Sequence, residues 1–306
     1  MLLKGANFLC DGAVSLAKKL RVSELTIGLT IVSFGTSAPE FFVNIISSIK
    51  GASGIALSNI VGSGIANVFL ILGLCSLIYP LTMTKGVVWR AIPFSLMAVV
   101  LLALLLNDGF ISDGSFSILS RIDGLILIII FVLFLYYVFS DRKKDIEGFE
   151  HKLVKEHGLT KSFLWILFGL LILVLGAKLV VDGSVDLVST LGISERIVGL
   201  TIIALGTSLP ELATSIVAAL RKDSAIAVGN IVGSNIFNVF FILGISALIR
   251  PMPLIESINL DIAVVIFANL ILLLWMFIGK KYVLEKWQGV VLVLSYVIYI
   301  IFFVLR

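Results

Sequence analysis

The chain has 306 residues, 59% of them hydrophobic and only 14% charged, with a net charge of +4 and a mean hydropathy of +1.16. A soluble domain is nearer half apolar and a quarter charged, and a disordered chain is more polar still, so both classes are excluded. The basic residues lie between apolar runs, where they report membrane topology rather than a nucleic-acid partner.

Apolar runs fall at 1–17, 25–49, 54–79, 86–106, 118–139, 162–190, 195–220, 225–249, 257–279 and 284–305. A spanning helix takes about 20 residues and barrel strands are far shorter, so each run is read as a helix. The expected fold is an all-α integral membrane protein with ten transmembrane helices. Lys4, Asn7 and Asp11 interrupt the first run, which therefore lacks the apolar core of a signal peptide. Cys10 and Cys75 have neither metal nor disulfide spacing and read as small buried side chains. Pro80 and Pro251 stand at span ends, where a missing N–H does little harm. The polar stretch 141–161 holds both histidines, His151 and His157, and reads as a solvated linker. No carboxylate or cysteine pattern supports a metal site there.

The two halves repeat one another. An offset of 171 positions aligns Gly5-Ala6 with Gly176-Ala177 and Asp11-Gly12 with Asp182-Gly183. It also aligns Gly35-Thr36-Ser37-Ala38-Pro39-Glu40 with Gly206-Thr207-Ser208-Leu209-Pro210-Glu211, and Asn59-Ile60-Val61-Gly62-Ser63 with Asn230-Ile231-Val232-Gly233-Ser234. Roughly half of residues 1–80 match their partners without a gap, which marks an internal duplication. The ten residues 162–171 precede the position that matches Met1, so the first span is expected to be shortened. The organisation expected is a first five-helix repeat over 1–140, a cytoplasmic linker over 141–161 and a second repeat over 162–306.

Five is an odd number of spans, so the second copy runs through the membrane in the opposite direction. Such inverted-topology repeats recur in secondary transporters. Placing the N-terminus outside puts Lys18, Lys19, Arg21, Lys85, Arg90, the cluster from Arg142 to Lys161, Arg221, Lys222, Lys280, Lys281 and Lys286 in the cytoplasm. The outer loops then hold mainly Lys50, Arg196 and Arg250, beside Asp108, Asp113, Glu256 and Asp261. That asymmetry places both termini outside.

A carboxylate at mid-span costs about 2.5–3.5 kcal/mol or more unless it meets protein, water or a cation. Glu40 and Glu211 lie mid-span at equivalent positions, which points to one shared site where a cation stabilises both charges. Each follows a proline that breaks its helix and frees nearby carbonyls, including those of Thr36 and Thr207, to face a cavity. Asn59, Ser63 and Asn67, like Asn230, Ser234 and Asn238, recur every fourth residue and so share a helical face. Gly62, Gly64 and Gly233 let a neighbouring backbone come close. These polar side chains serve either as interhelical bonds or as ligands; Asn59 and Asn230 are the more structural of them. Carboxylate, hydroxyl and carbonyl oxygens form a hard donor set suited to calcium or sodium rather than zinc or copper.

The paired GTSxPE and NIVGSxIxN segments resemble the two alpha repeats of the sodium/calcium exchangers, within the cation–calcium exchanger superfamily. The likeness covers the whole chain and implies calcium moved against sodium by alternating access. It implies calcium ligands at the carboxylates of Glu40 and Glu211 and the carbonyls of Thr36 and Thr207. It places sodium on the hydroxyls of Ser37, Ser208, Ser63 and Ser234 and the carbonyls of Ser33 and Ala204. Asn67 and Asn238 fall on the central amide or acid position of each repeat. Potassium-dependent relatives use an aspartate where Asn238 stands, and proton-coupled relatives carry G-N-x-x-E at the break; this sequence has neither. A proton- or potassium-coupled calcium antiporter is the alternative.

Two carboxylates neutralise one Ca²⁺ or two Na⁺, and a third sodium would leave excess positive charge at low dielectric. Competition for shared oxygens is enough to make exchange obligatory, provided the empty charged site rarely crosses. The resemblance further implies that the first and sixth spans slide against the other eight. A channel would need a continuous path. A membrane enzyme would need HExxH, a Ser-His pair or a nucleotide loop, none of which the sequence contains. No cofactor, nucleic acid or obligatory protein partner is expected; calcium and sodium are substrates, the lipid bilayer is the surroundings, and the location is a prokaryotic plasma membrane.

Overall fold

The computed structural model describes residues 1–20, 22–107, 117–140, 158–190, 204–254 and 258–305, without the side chains of 180–190, 204 and 303–305. In chain order the helices are α1 (Leu2–Leu20), α2 in two halves (Glu24–Thr36 and Ala38–Lys50), α3 (Ser53–Ile78), α4 (Val87–Leu106) and α5 (Arg121–Ser140). They continue as α6 (Leu159–Thr190), α7 in two halves (Ala204–Thr207 and Leu209–Leu220), α8 (Ser224–Ile249), α9 (Ile258–Trp275) and α10 (Lys286–Leu305). Four two-residue strands, β1 (Leu81–Thr82), β2 (Ile118–Leu119), β3 (Met252–Pro253) and β4 (Val283–Leu284), lie in the connections. The fold is all-α. Among the described residues, six helices are long and apolar enough to cross a membrane unbroken, and the bent pair making up α2 qualifies as one more span. Helix α6 takes in residues 159–161, the end of the expected linker; residues 141–157, with both histidines, lie outside the described residues.

Local chemistry sets the helix ends. Ser23 caps α2 by accepting the Thr26 N–H at 3.0 Å, and Asp223 caps α8 by accepting the Ile226 N–H at 3.0 Å. Gly51 closes α2 at φ 76°, a left-handed conformation that costs glycine nothing. A Cβ there would fall 2.6 Å from the Arg250 guanidinium, a flexible side-chain end that can move aside, so it is the backbone that requires the glycine.

Burial sorts the helices into centre and rim. Of the most apolar stretches of α3 and α8, 78% and 83% of residues are buried, against 28% for α5. Helices α3 and α8 therefore form the middle. Helix α5 turns Ile122, Leu125, Ile129, Val132, Leu133 and Tyr136 outward, an apolar surface suited to lipid. Cys10 and Cys75 are free and buried, and pack as small apolar side chains.

The strands fix relative directions. β1 pairs antiparallel with β4, and β2 with β3. Helix α4 leads from the β1 end to the β2 end, whereas α9 leads from the β3 end to the β4 end. These two helices, equivalent under the 171-residue offset, thus run in opposite directions. Helices α1 and α6 are also antiparallel and lie backbone to backbone. A Cβ on Gly5 would meet the Gly169 carbonyl at 2.9 Å, one on Gly12 the Ser162 carbonyl at 2.8 Å, and Ser162 Oγ donates to Ser15 Oγ at 2.8 Å.

Candidate functional site: a buried oxygen cluster at two helix breaks

Helix α2 bends by 48° between Thr36 and Ala38. The Ser37 N–H still reaches the Ser33 carbonyl at 3.0 Å, and the ladder resumes with Phe41 N–H to the Ser37 carbonyl at 3.0 Å. Between them Pro39 has no proton to give, so the axis swings. Ser37 sits at the hinge with φ −80° and ψ 10°; Ser208 takes φ −82° and ψ 4° at the same place in α7. Each hinge is followed within its first helical turn by a glutamate, Glu40 or Glu211, whose side chain is fully buried.

The hinges serve each other's acids. Ser37 Oγ donates to Glu211 Oε1 at 2.8 Å, and Ser234 Oγ lies 3.3 Å from the same oxygen and 3.0 Å from Ser37 Oγ. In the mirrored arrangement Ser208 Oγ donates to Glu40 Oε1 at 3.2 Å, with Ser63 Oγ 3.5 Å from that oxygen and 3.1 Å from Ser208 Oγ. Four of the expected serines and both glutamates are thus brought together.

Thr36 and Thr207 are braced by the central helices. Thr36 Oγ1 donates to Asn230 Oδ1 at 3.0 Å, and Thr207 Oγ1 to Asn59 Oδ1 at 3.2 Å. Behind them Asn59 Nδ2 donates to Asn44 Oδ1 at 2.9 Å and Asn230 Nδ2 to Ser215 Oγ at 3.0 Å. Asn59 and Asn230 spend their amides on holding the breaks, the more structural part anticipated for them. Asn44 and Ser215 escaped the sequence reading because they are equivalent positions with different residues. The carbonyl of Ser33 already accepts two bonds, from Ser37 N and from Thr36 Oγ1 at 3.3 Å, while its hydroxyl turns back to the Leu29 carbonyl at 2.9 Å. Ala204 opens the first half of α7, and its side chain lies outside the described residues.

Close backbone approach brings α8 to the first break. A Cβ on Gly233 would stand 2.7 Å from the Leu29 carbonyl, and Gly28 and Gly229 face each other Cα to Cβ position at just over 3 Å. Gly64 does not share this role. A Cβ there would meet only Val265 at 3.4 Å, ordinary contact, so the expectation of a backbone neighbour fails at that position.

Four oxygens near the breaks are left over. Among the described residues, Glu40 Oε2, Glu211 Oε2, Asn67 Oδ1 and Asn238 Oδ1 are buried without a hydrogen-bond partner. Asn238 is tied to the cluster by its Nδ2, 3.4 Å from Ser63 Oγ. Both asparagines lie in stretches of wider π-helical turn, Ala66–Leu72 and Asn238–Leu243, a distortion that gathers at functional sites. Among the described residues, no lysine or arginine hydrogen-bonds either carboxylate. Unpaired buried carboxylates cost several kcal/mol each, and carboxylate and carbonyl-type oxygens together are the donor set that could hold a hard cation. No group of three or more His, Cys, Asp or Glu occurs among the described residues, so the donor set is two acids plus neutral oxygens.

The family described as "Sodium/calcium exchanger protein" matches residues 1–140 and 161–305. The chain is 34% identical to the sodium/calcium exchanger MaX1 of Methanosarcina acetivorans, over 98% of this chain and 94% of that one. It is 36% identical to the inner membrane protein YrbG of Escherichia coli, over 90% and 86% respectively. A solved structure of the sodium-calcium exchanger NCX_Mj superposes with a TM-score of 0.83 at 32% identity, covering 98% of this chain and 94% of the other.

Proposed function

This chain belongs to the sodium/calcium exchanger family, and from that premise we propose that it exchanges Ca²⁺ for Na⁺ at the oxygen cluster between the two hinges. It is a multi-pass membrane protein and a calcium/cation antiporter; sodium as the counter-ion is our reading. The observation that carries the reading is the set of four unpartnered oxygens on Glu40, Glu211, Asn67 and Asn238, two of them anionic and all buried.

In this reading calcium binds the carboxylates of Glu40 and Glu211 and the carbonyls of Thr36 and Thr207. Sodium takes the hydroxyls of Ser37, Ser208, Ser63 and Ser234 and the carbonyls of Ser33 and Ala204. Asn67 and Asn238 hold the central amide position of each repeat. One Ca²⁺ or two Na⁺ cancel the two negative charges. Both loads use the same carboxylates, so neither ion crosses alongside the other. The empty site carries two uncompensated charges, which disfavours its crossing. Coupling follows from those two exclusions.

The same reading has ten spans in two inverted repeats, with both termini outside. The opposite directions of α4 and α9 support the inversion. Lys85, Lys280, Lys281 and Lys286 flank the β1–β4 ladder, and that basic end is the cytoplasmic one. Helices α1 and α6 slide as a pair past the other eight to change access. Crosslinking that pair to the bundle should stop transport; continued transport would refute the sliding.

The deciding experiment is calcium uptake into proteoliposomes driven in turn by outward sodium, proton and potassium gradients. Sodium should drive it. Uptake driven by protons or potassium but not by sodium would overturn the coupling. Robust uptake by Glu40→Gln or Glu211→Gln would remove that residue from the site.

A further inference from the structure

The two repeats match closely around the central asparagines, with one departure. Where the second repeat has Asn235, directly after Ser234, the first has Gly64. Asn235 is buried, and its Oδ1 accepts Asn67 Nδ2 at 2.9 Å. That bond uses the donor end of the Asn67 amide and leaves Oδ1 as its free, unpartnered end. Gly64 has no side chain to do the same for Asn238. The Asn238 amide instead donates to Ser63 Oγ at 3.4 Å, a longer and weaker contact. Beside it a cavity of about 10 Å³ is lined by Gly64, Asn235 and Asn238 among apolar side chains, so no side chain from position 64 fills that space. The otherwise symmetric site therefore has one amide held by an asparagine at 2.9 Å and the other by the longer 3.4 Å contact to Ser63.

Building on the cation-site reading above, we propose that Asn235 is a positioning residue that fixes the Asn67 amide with its oxygen toward the cation, and that Gly64 leaves Asn238 the adjustable one. Charge agrees with this orientation. Turned over, Asn67 would present its NH₂ group to a cation, and Asn235 would have to supply a donor instead of an acceptor. Asn235 itself does not touch the ion. The Asn67 oxygen, buried and unpartnered, is thereby added to the oxygens that reach calcium. A divalent cation gathers six to eight of them, so losing the fixed orientation of one affects calcium directly. Sodium at the serine hydroxyls depends on it much less.

The test is calcium binding by calorimetry on the purified full chain in detergent, with sodium competition measured alongside. Asn235→Ala should weaken calcium about fivefold, the value of one neutral hydrogen bond. Sodium affinity should stay within about twofold, a split that general loosening of the fold would not produce. If Asn235 acts through Asn67, Asn67→Ala with Asn235→Ala together should match Asn67→Ala alone within about twofold. Asn235→Asp keeps an acceptor at the same place and should retain wild-type calcium affinity or better. Should Asn235→Ala not fold, Asn235→Thr, whose hydroxyl ends one bond short of Asn67, takes its place with the same expectation. Wild-type calcium binding that survives unchanged in Asn235→Ala would overturn this proposal alone. So would losses that multiply in the double variant, or Asn235→Asp behaving like alanine. A wild-type chain that binds no calcium would instead strike the cation-site reading, and this proposal with it.

Discussion

Ser37 Oγ stands 2.8 Å from Glu211 Oε1, so the hinge of one repeat hydrogen-bonds the acid of the other. Neither break can bend or straighten without disturbing a carboxylate that belongs to its counterpart. The two hinges and the two buried acids are one mechanical unit.

Removing that hydroxyl should separate the two ions. In Ser37→Ala the carboxylate keeps its charge for calcium, but a sodium ligand and a charge-assisted bond worth about 1.5–3 kcal/mol are gone. Sodium-driven calcium uptake should fall tenfold or more by this estimate, while calcium–calcium exchange in the same liposomes should fall much less. Equal loss of both would argue against sodium at Ser37.

Glu211→Gln should make the ion-free protein more heat-resistant even as it stops transport. It removes one of two buried carboxyl groups that no lysine or arginine among the described residues hydrogen-bonds, so any charge they carry is costly. Thermal unfolding in calcium-free detergent should therefore shift upward. Wild type should recover stability with calcium, by about 2.7 kcal/mol at a concentration one hundred times its Kd. The variant should show little such gain. A variant that melts below the ion-free wild type would contradict the unpaired-charge account.

Gly233→Ala and Gly64→Ala make a steric pair. The first puts a methyl group 2.7 Å from the Leu29 carbonyl and must push α8 from α2, at a cost of about 1–3 kcal/mol. The second meets Val265 at an ordinary 3.4 Å and should leave the melting temperature nearly unchanged. Comparable destabilisation by both would mean that the α2–α8 contact is looser than described.

Asp11 and Arg221 join α1 to the end of α7 by an ion pair of 2.6 Å, with Asn7 also bonded to the guanidinium. Both side chains are roughly a third exposed, so the pair contributes little to stability. If α1 slides, the pair must open in every cycle. Asp11→Asn should therefore leave calcium affinity within about twofold and change the turnover rate. A large loss of calcium binding would place Asp11 in the site rather than at a sliding boundary.

The breaks and their acids were legible because proline, glycine and a buried glutamate each state a physical requirement, and the duplication repeats all three. The trios at every fourth residue gave the inner faces of α3 and α8. Pairing across the repeats was not legible. A linear offset shows that Ser37 corresponds to Ser208, but the crossed bonds to Glu211 and Glu40 exist only once α2 and α7 meet. Asn235 was hidden for a related reason: comparing the halves rewards identity, and its counterpart is Gly64. Gly64 itself was misread because a glycine between polar residues looks the same whether a backbone or an open space lies beyond it. The π-helical turns at Asn67 and Asn238 left no trace either, since one extra residue per turn barely alters the apolar periodicity.

The short ladders have an effect out of proportion to their two residues each. β1 with β4 ties the α3–α4 connection to the α9–α10 connection, and β2 with β3 ties α4–α5 to α8–α9 at the opposite end. Displacing helices so stapled would shear backbone hydrogen bonds. None of these ladders includes a connection to α1 or α6, whose mutual contact is a smooth seam of glycines. Resistance to shear from these ladders is therefore uneven, and the sliding of α1 and α6 proposed above would break none of their backbone bonds.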